Sequence, residues 1–457
     1  MNKSTHIKNV FLSLSSIIFC LVQLNCAFAF DFASSPNPVG SGARAMGMGG
    51  AFIAVADDAT AASWNPGGLV QLKTPEISVV GNCFHRTEDV NFANHPEASG
   101  SESVSKEDLN YLSMVYPFNL FNRNMVVSLN YQKLYDFARE WDFQFTGTTD
   151  TIDDSLSFPG LPPMIIHTTT KEKIHYEQSG GLSALGIACS IQIVPQLSFG
   201  FTLNIWDNDL TPNKWEKIYY YASSSTVEYY GISVPASNIE RKAKDEYSFN
   251  GLNFNIGMLW RITDKLTTGL VFKTPFTADV KHERYEVNDQ NQSEKWTLNE
   301  KLDMPMSCGI GLLYKISDEF RVSADVYRTE WQDYIYTNSD GKKISFITNK
   351  SKGESDIDPT YQVRFGMEYL LVNHRSHYVI PLRAGVFYDP VPAQASPDDY
   401  YGFSLGSGFS MEKYAFDIAY QYKFGNDVGS SFTQGTTLSQ DQDVEEHMVY
   451  SSFIIYF

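Results

Sequence analysis

The chain has 457 residues, a formal net charge of −18 and a mean hydropathy of −0.26, and 14% of its residues are aromatic. The acidic balance argues against nucleic acid as a partner, because phosphates repel a surface of the same sign. The cysteines after residue 30 are odd in number and widely spaced, which fits neither a disulfide framework nor a metal site. No later segment has the roughly 18 consecutive apolar residues that a membrane-spanning helix needs.

The first predicted element is a cleaved secretory signal peptide over residues 1–29. Two lysines precede the short apolar run VFLSLSSIIFCLVQL, and an Ala-x-Ala site ends at Ala29. The run is too short and too lightly flanked for a membrane helix. Lipidation at Cys26 is the alternative, but the preceding residues are not the small ones usual before a lipidated cysteine. We therefore expect an exported protein.

The second element, residues 30–75, is rich in glycine and other small residues. Its centre, GARAMGMGGAFIAVADDATAASWNPGGL, has too many glycines for a long helix and too little alternation for a strand. Asp57 or Asp58 can cap a short helix through DATAASW, and Pro66 ends it. The Asn-Pro-Gly-Gly that follows is a turn.

From residue 76 onward, apolar and polar residues alternate in long segments. YQVRFGMEYLL at 361–371 and YAFDIAYQYKF at 414–424 place nearly all their large apolar residues on one face. A period of two predicts strands, and about 9–11 residues is the length that crosses a bilayer when tilted. A soluble sandwich is the alternative, but its strands average about 5–6 residues. The predicted strands are 76–84, 109–117, 124–135, 173–191, 196–206, 246–261, 265–287, 294–316, 319–336, 358–372, 378–388, 400–411, 414–424 and 446–457.

The links between these strands alternate in length. Short turns such as VPQ, TDK and SDE separate long polar stretches, which is the pattern of periplasmic turns and extracellular loops. The chain ends on an aromatic strand, so the sheet can close and leave no edge exposed to lipid. The predicted fold class is therefore all-β, a transmembrane antiparallel β-barrel of about 14 strands over residues 76–457. The long loops are expected at 85–108, 136–172, 207–245, 337–357 and 425–445.

A barrel of this size has a lumen that its own wall side chains do not fill. Residues 30–75 precede the first strand and begin on the periplasmic side. We therefore predict that they fold into the lumen as an N-terminal hatch, that is, a plug. A periplasmic extension is the alternative.

At this point the sequence resembles a known family. SGARAMGMGGAFIAVADDATAASWNPGGL is similar to the hatch signature of the FadL/TodX outer-membrane transporters of long-chain fatty acids and hydrocarbons. Asp57–Asp58 and Asn65–Pro66 match its acid pair and Asn-Pro-Ala motif, whereas Gly67 replaces the alanine. Residues 382–409 resemble the family's late hairpin with its Pro-Val-Pro loop, and residues 303–331 resemble a strand pair that ends on Arg-Thr-Glu-Trp.

The resemblance implies passive uptake of a hydrophobic small molecule, with long-chain fatty acids as the first expectation. Extracellular loops catch the molecule, the lumen above the hatch binds it, and hatch movement releases it through a lateral opening at a bend in an early strand. The predicted strand 124–135 contains no glycine or proline to mark such a bend. The residues to which the resemblance gives a hatch or gating role are Asp57, Asp58, Asn65, Pro66 and Gly67.

Two groups are candidate ligand-binding residues. An apolar patch within the predicted loop 136–172 suits an acyl chain, since exposed apolar patches often bind a partner; packing on the barrel rim is the alternative. Arg364 and Arg383 lie on polar strand faces with Glu368 and Asp417. If those faces point inward, the arginines can hold a carboxylate or pair with the two acids. The patch consists of Phe158, Leu161, Met164, Ile165 and Ile166.

The sequence gives little support for an enzyme. No H-E-x-x-H motif is present, and the G-x-S-x-G match, GFSLG at 402–406, lies within an alternating strand segment and not at a strand-to-helix turn. The main alternative to transport is a protein-interaction or secretion role, which long acidic loops would suit. We expect a monomer in the outer membrane, with a hydrophobic ligand and membrane lipid as partners and without a cofactor or a metal.

Overall fold

The computed structural model describes residues 40–153, 164–229, 231–287, 290, 292–429 and 440–457. Two short helices, α1 (Ala43–Gly47) and α2 (Ala61–Trp64), and a 3-10 turn (Pro66–Gln71) precede the first strand. No helix in these ranges is long and apolar enough to cross a membrane. The strands are β1 (Glu76–Phe92), β2 (Gly100–Leu120), β3 (Arg123–Asp136), β4 (Arg139–Asp153), β5 (Met164–Val194), β6 (Leu197–Trp206), β7 (Asn213–Tyr229), β8 (Ile232–Arg261), β9 (Leu266–Lys273), β10 (Phe276–Val287), β11 (Ser293–Met304), β12 (Ser307–Lys315), β13 (Phe320–Thr329), β14 (Ile335–Thr337), β15 (Lys343–Ser345), β16 (Thr360–Asn373), β17 (Tyr378–Tyr388), β18 (Tyr401–Ser410), β19 (Tyr414–Val428) and β20 (Gln440–Tyr456).

Within the described ranges, fourteen strands close into one antiparallel barrel, which confirms the predicted fold class. Each pairs with the next along the chain, and β20 returns to pair with β1 from Glu76–Tyr456 to Phe92–Gln440. Closure pairs the edges that an open sheet would expose. The barrel strands are β1, β2, β3, β5, β6, β8, β9, β12, β13, β16, β17, β18, β19 and β20.

The predicted alternation places apolar side chains outside and polar side chains inside. In β16, buried and exposed residues alternate without interruption from Thr360 to Tyr369. Arg364 and Glu368 are buried, whereas Val363 and Phe365 are exposed. A wall with this polarity is suited to lipid outside and a polar lumen inside.

Six further strands lengthen the barrel on the side opposite the short turns. β4 and β7 both pair with β5, and β10 and β11 form a hairpin that continues from β8. The stretches 136–172 and 207–245, expected to be loops, are largely hairpins, because strands outside a membrane carry polar residues on their outer face and resemble loops in composition. Trp141 is therefore part of β4, an extension of the third barrel strand.

Two predicted strands, 265–287 and 294–316, are each interrupted. Thr274–Pro275 separates β9 from β10, and Pro305–Met306 separates β11 from β12. Proline has no N–H to donate to a ladder, so the wall loses its regular pairing at this height. The alternation on either side of each proline is uninterrupted, which is why composition alone predicts one strand.

The two largest apolar cores among the described residues lie inside the barrel. The lower one joins residues 40–75 to the wall and includes Met48, Phe52, Trp64 and Tyr111. The upper one lies towards the extended hairpins and is mostly aromatic. Its large members are Tyr135, Phe137, Trp206, Trp215, Tyr247, Phe249, Trp331, Tyr334, Tyr336 and Phe346.

Candidate functional site

The described residues 40–75 lie against the inner face of the barrel wall, and we call them the hatch. In addition to the apolar contacts of the lower core, polar wall side chains hold the hatch backbone from several directions. The bonds are Ala43 N to Ser452 Oγ at 2.7 Å, Gly49 N to Ser404 Oγ at 2.8 Å, Phe52 N and Ile53 N to Asp325 Oδ2 at 2.6 and 2.8 Å, Tyr111 OH to Ala59 O at 2.9 Å, and Thr202 Oγ1 to Ala62 O at 2.9 Å.

The wall is lined with glycine where the hatch backbone comes closest. A Cβ atom on Gly257 would overlap the Asn65 side chain, and one on Gly200 would overlap the Pro66 carbonyl. Only a residue without a side chain permits such an approach. Glycine stands directly opposite glycine across adjacent strands in three pairs: Gly200–Gly257, Gly269–Gly311 and Gly366–Gly385. In the sequence, these positions appear as glycines on the inward faces of neighbouring predicted strands. That pattern could have indicated where the hatch backbone approaches the wall, but it was not recognised.

Asn65 joins the hatch to the wall. Its Nδ2 donates to Ile53 O at 2.8 Å and to Met258 O at 2.9 Å, and its Oδ1 accepts from Gly67 N at 3.0 Å. The side chain is fully buried. A Cβ on Gly67 would lie 2.9 Å from the Gly257 carbonyl oxygen. Gly67, which stands where the family motif has alanine, therefore makes a close backbone contact with the wall in this chain.

A buried charge network begins on the wall at Glu368. This carboxylate is completely buried and accepts from Arg383 Nε at 2.7 Å, from Arg321 Nε at 2.6 Å and from Arg44 Nε at 3.1 Å. Arg383 also donates to Asp417 at 2.6 Å. The expected grouping of Glu368, Arg383 and Asp417 is thus present, and the acids pair with the arginine.

The same network continues into the hatch. Arg44 lies 2.9 Å from Asp57 and 3.6 Å from Asp58, and Asp57 lies 3.2 Å from Arg321. Burial acts to raise the pKa of Asp57, but Arg44 and Arg321 outweigh it and the pKa is lowered. Burial raises the pKa of Asp58. The hatch and the wall therefore share one set of ion pairs, centred on Glu368 and Arg44.

Arg364 lies apart from this network. Its Nη1 donates to Gly49 O at 2.9 Å, its Nη2 lies 3.6 Å from Asp389, and its Nε has no hydrogen-bond partner among the described residues. It lines a lumen cavity of about 110 Å³ directly above Gly40 and Met46 of the hatch. Lys133 and Lys423 line the same cavity, as do Asp108 and Asp136, and Lys423 is paired with Glu446 at 2.8 Å.

The upper core, above the hatch, is apolar and aromatic, and buried charges adjoin it, among them His282 with Asp245 and Glu300. The rings of Trp215 and Tyr247 stack with centroids 4.8 Å apart, and His282 stacks on the other side of Tyr247 at 4.3 Å. Trp206 stacks on Phe276 at 5.8 Å. These surfaces suit hydrophobic solutes and offer few partners to strongly hydrated ones.

The wall has a gap between β2 and β3, where the two strands stop pairing, and we call this gap the parting. Their ladder ends at Tyr111–Gln132, and β2 continues paired with β1 alone, because no residue of 100–110 has a ladder partner on β3 or β4. β3 turns towards β5 through a bulge at Leu134, between the pairs Lys133–Ser183 and Tyr135–Leu182. The resemblance implied a bend in an early strand, and the bulge has no glycine or proline of its own to reveal it.

Charged side chains fill the parting. Lys133 Nζ bonds to Asp108 and to Asp136, the latter at 2.6 Å, and Lys106 Nζ lies 3.3 Å from Asp136. The cavity of about 110 Å³ reaches Asp108, Lys133 and Asp136 from the inside. These four side chains, which we call the parting cluster, separate the lumen cavity from the exterior.

The predicted apolar patch is only partly within the described residues. Phe158 and Leu161 lie outside them, and Met164 begins β5. Ile165 is exposed and Ile166 is half-buried, both near the tip of the β4–β5 hairpin. Their ligand role therefore stays a prediction.

One group of side chains has the composition of a metal site. Ligand atoms of Glu140, Asp142 and His175 lie within 4.8 Å of one another. His175 Nδ1 is already 3.1 Å from Asp142 Oδ2, and Lys173 lies 3.7 Å from Asp142. The group is exposed on the outside of the β4–β5 hairpin, away from the lumen, and its charges are partly satisfied within it.

Comparison with known proteins gives one family. The family model described as outer membrane protein transport protein (OMPP1/FadL/TodX) matches residues 181–452. A Pseudomonas aeruginosa FadL homologue is similar in structure, with a TM-score of 0.59 and 15% identity over 93% of this chain and 99% of that one. The toluene transporter TodX of P. putida has a TM-score of 0.53 and 13% identity over 92% of this chain and 99% of that one. The comparison with curated proteins gives no match.

Proposed function

The chain belongs to the OMPP1/FadL/TodX family of outer-membrane transport proteins for hydrophobic compounds, and on that premise we propose that it takes up long-chain fatty acids passively. The observation that carries the proposal is a plugged bore with buried Arg364 at the cavity above the plug, its Nε without a hydrogen-bond partner among the described residues. A lumen filled by a hatch does not act as a water-filled pore. An aromatic interior with a cation at its base suits an amphiphile that has an acyl chain and a carboxylate.

Arg364 is the residue we assign to the carboxylate. Its Nε is buried without a hydrogen-bond partner, and a buried donor of this kind gains from an anionic acceptor. Arg383 already pairs with Glu368 and Asp417, so its role is to position the network. A neutral hydrocarbon, such as the toluene in the name of the TodX structure, would make no use of Arg364.

We infer that cargo leaves between β2 and β3. The lumen cavity ends at the parting cluster, and Leu109 on β2 marks the upper limit of the apolar exterior there. Cargo that passes there enters the outer leaflet without crossing the aqueous phase. Hatch movement, with Asp57, Asp58 and Asn65–Gly67 as its contacts, opens the way from the entrance to this cavity.

Uptake of labelled oleate into cells or proteoliposomes, with and without the protein, tests the proposal. Arg364→Gln removes a charge-assisted hydrogen bond of about 1.5–3 kcal/mol, so we expect oleate affinity to fall about tenfold or more while uptake of labelled toluene is unchanged. Arg375→Gln, in an exposed turn, is the matched control. Equal oleate uptake with and without the protein, alongside a co-purifying protein partner, would favour the interaction role instead. Equal losses of oleate and toluene would remove Arg364 from carboxylate recognition.

A further inference from the structure

The lipid-facing wall contains a groove of about 490 Å³. It crosses the outer surfaces of β8, β9, β12 and β13. Its floor is Cys308, a small side chain that stands opposite Phe272 on one neighbouring strand and Arg328 on the other. Its lining side chains include Ile256, Phe272, Cys308, Ile310, Arg328 and Tyr361.

The depth of the groove has two local causes. Cys308 occupies an outward position where the neighbouring outward residues, such as Ile310 and Phe272, are large and exposed. Directly above it, Pro305 and Met306 interrupt the ladder between β12 and β11. The result is an elongated apolar depression that ends at the extracellular limit of the wall.

Arg328 stands at that limit. The outward residues of β13 before it, from Phe320 to Val326, are uncharged, and Arg328 is the first charge on that face. Its side chain is 44% exposed. The guanidinium lies over the Tyr361 ring at 5.5 Å, and its Nη2 lies 2.7 Å from Glu330 Oε1. An arginine at this depth is tolerated because it reaches the head-group region.

The arrangement has the polarity of an anionic lipid, with an apolar track and a cation at its outer end. Glu330 engages one nitrogen of Arg328, and the remaining N–H groups of a planar guanidinium suit the oxygens of a phosphate. We propose that this groove binds one lipid A molecule of the outer leaflet. An acyl chain lies along Phe272, Cys308 and Ile310, and a lipid A phosphate binds the Arg328 guanidinium.

The test measures lipid A bound to the full-length protein by native mass spectrometry. Protein stripped in mild detergent is titrated with lipid A and with its dephosphorylated form. We expect wild type to prefer the phosphorylated form about tenfold, the size of one charge-assisted bond, and Arg328→Gln to lose that preference. Cys308→Phe fills the floor of the groove and should weaken the binding of both lipid A and its dephosphorylated form. Arg375→Gln, in an exposed turn, should behave as wild type.

Each alternative result is decisive. An unchanged preference in Arg328→Gln would overturn the assignment of the phosphate. Unchanged binding in Cys308→Phe would overturn the assignment of the acyl chain. Equal binding of a glycerophospholipid that carries phosphate would show that the surface does not select lipid A. Heat-modifiable migration of each variant establishes that its barrel is folded.

Discussion

The ion pair between Arg44 and Glu368 should couple the hatch to the wall, and a double-mutant cycle measures that coupling directly. The two groups lie 3.1 Å apart, and Glu368 is completely buried. Glu368→Gln keeps the shape of the side chain but leaves Arg44, Arg321 and Arg383 facing an amide. Removal of one partner of a buried ion pair costs about 3–5 kcal/mol, so this variant should lower the free energy of unfolding by that amount.

Arg44→Gln should cost less. Glu368 keeps Arg321 and Arg383, while Asp57 keeps Arg321, so the loss is that of charged hydrogen bonds, about 1.5–3 kcal/mol. In the double variant the direct pair is already absent. The combined cost should therefore fall short of the sum by about 1–3 kcal/mol, the range found for side chains in contact.

The assay is urea unfolding in detergent, with ion leak through planar bilayers as the functional measurement. Arg44 and Asp389 form the control pair, because Asp389 lies beside Arg364 and not beside Arg44. The costs of these two substitutions should therefore add to within about 0.5 kcal/mol in the double variant. Glu368→Gln should also raise the leak, since a loosened hatch uncovers the bore. A coupling energy below about 0.5 kcal/mol between Arg44 and Glu368, with wild-type leak, would refute the view that this network holds the hatch.

Two further variants test the hatch contacts and the exit. Gly257→Ala inserts a methyl group into the Asn65 side chain and should lower the free energy of unfolding by about 1–3 kcal/mol through overpacking. The control, Gly147→Ala, has open space around it and should cost under about 0.5 kcal/mol. Equal urea midpoints for the two variants would contradict the close approach of the hatch to the wall. Lys133→Gln removes the centre of the parting cluster and should speed transfer of a fluorescent fatty acid from the protein to vesicles, while Lys265→Gln in an exposed turn should not. Unchanged release by Lys133→Gln would place the exit elsewhere.

The barrel could be predicted because the period of two is a local property of each strand. The segment at 361–371 shows its two faces without knowledge of any neighbour, and the structure confirms them. The proline interruptions were not predicted, since alternation on both sides of Pro275 and Pro305 conceals the change of register. The extended hairpins were missed for a related reason: outside a membrane, the outer face of a strand is polar, so its composition matches that of a loop.

The charge network could be predicted only in part because its assembly depends on register. Arg321 stands directly opposite Glu368, and Glu368 opposite Arg383. Each residue is visible as an inward polar position, but which ones are neighbours is set by how adjacent strands align. Arg44 was overlooked because it lies in a run of small residues, and its partner on the wall is more than 300 positions away in sequence.

The hatch contacts favour a plug that moves over one that is permanently fixed. Outside the lower core, glycine pairs and hydrogen bonds from serine, threonine and aspartate join the hatch backbone to the wall. Water can substitute for the serine and threonine bonds, whose net loss costs about 0.5–1.5 kcal/mol each, and the loss of a bond to a charged group such as Asp325 costs about 1.5–3 kcal/mol. The Arg44–Glu368 pair is then the largest single contact to be broken, and a cargo carboxylate near Arg364, whose Nη1 donates to Gly49 O, is placed to disturb the adjoining hatch backbone.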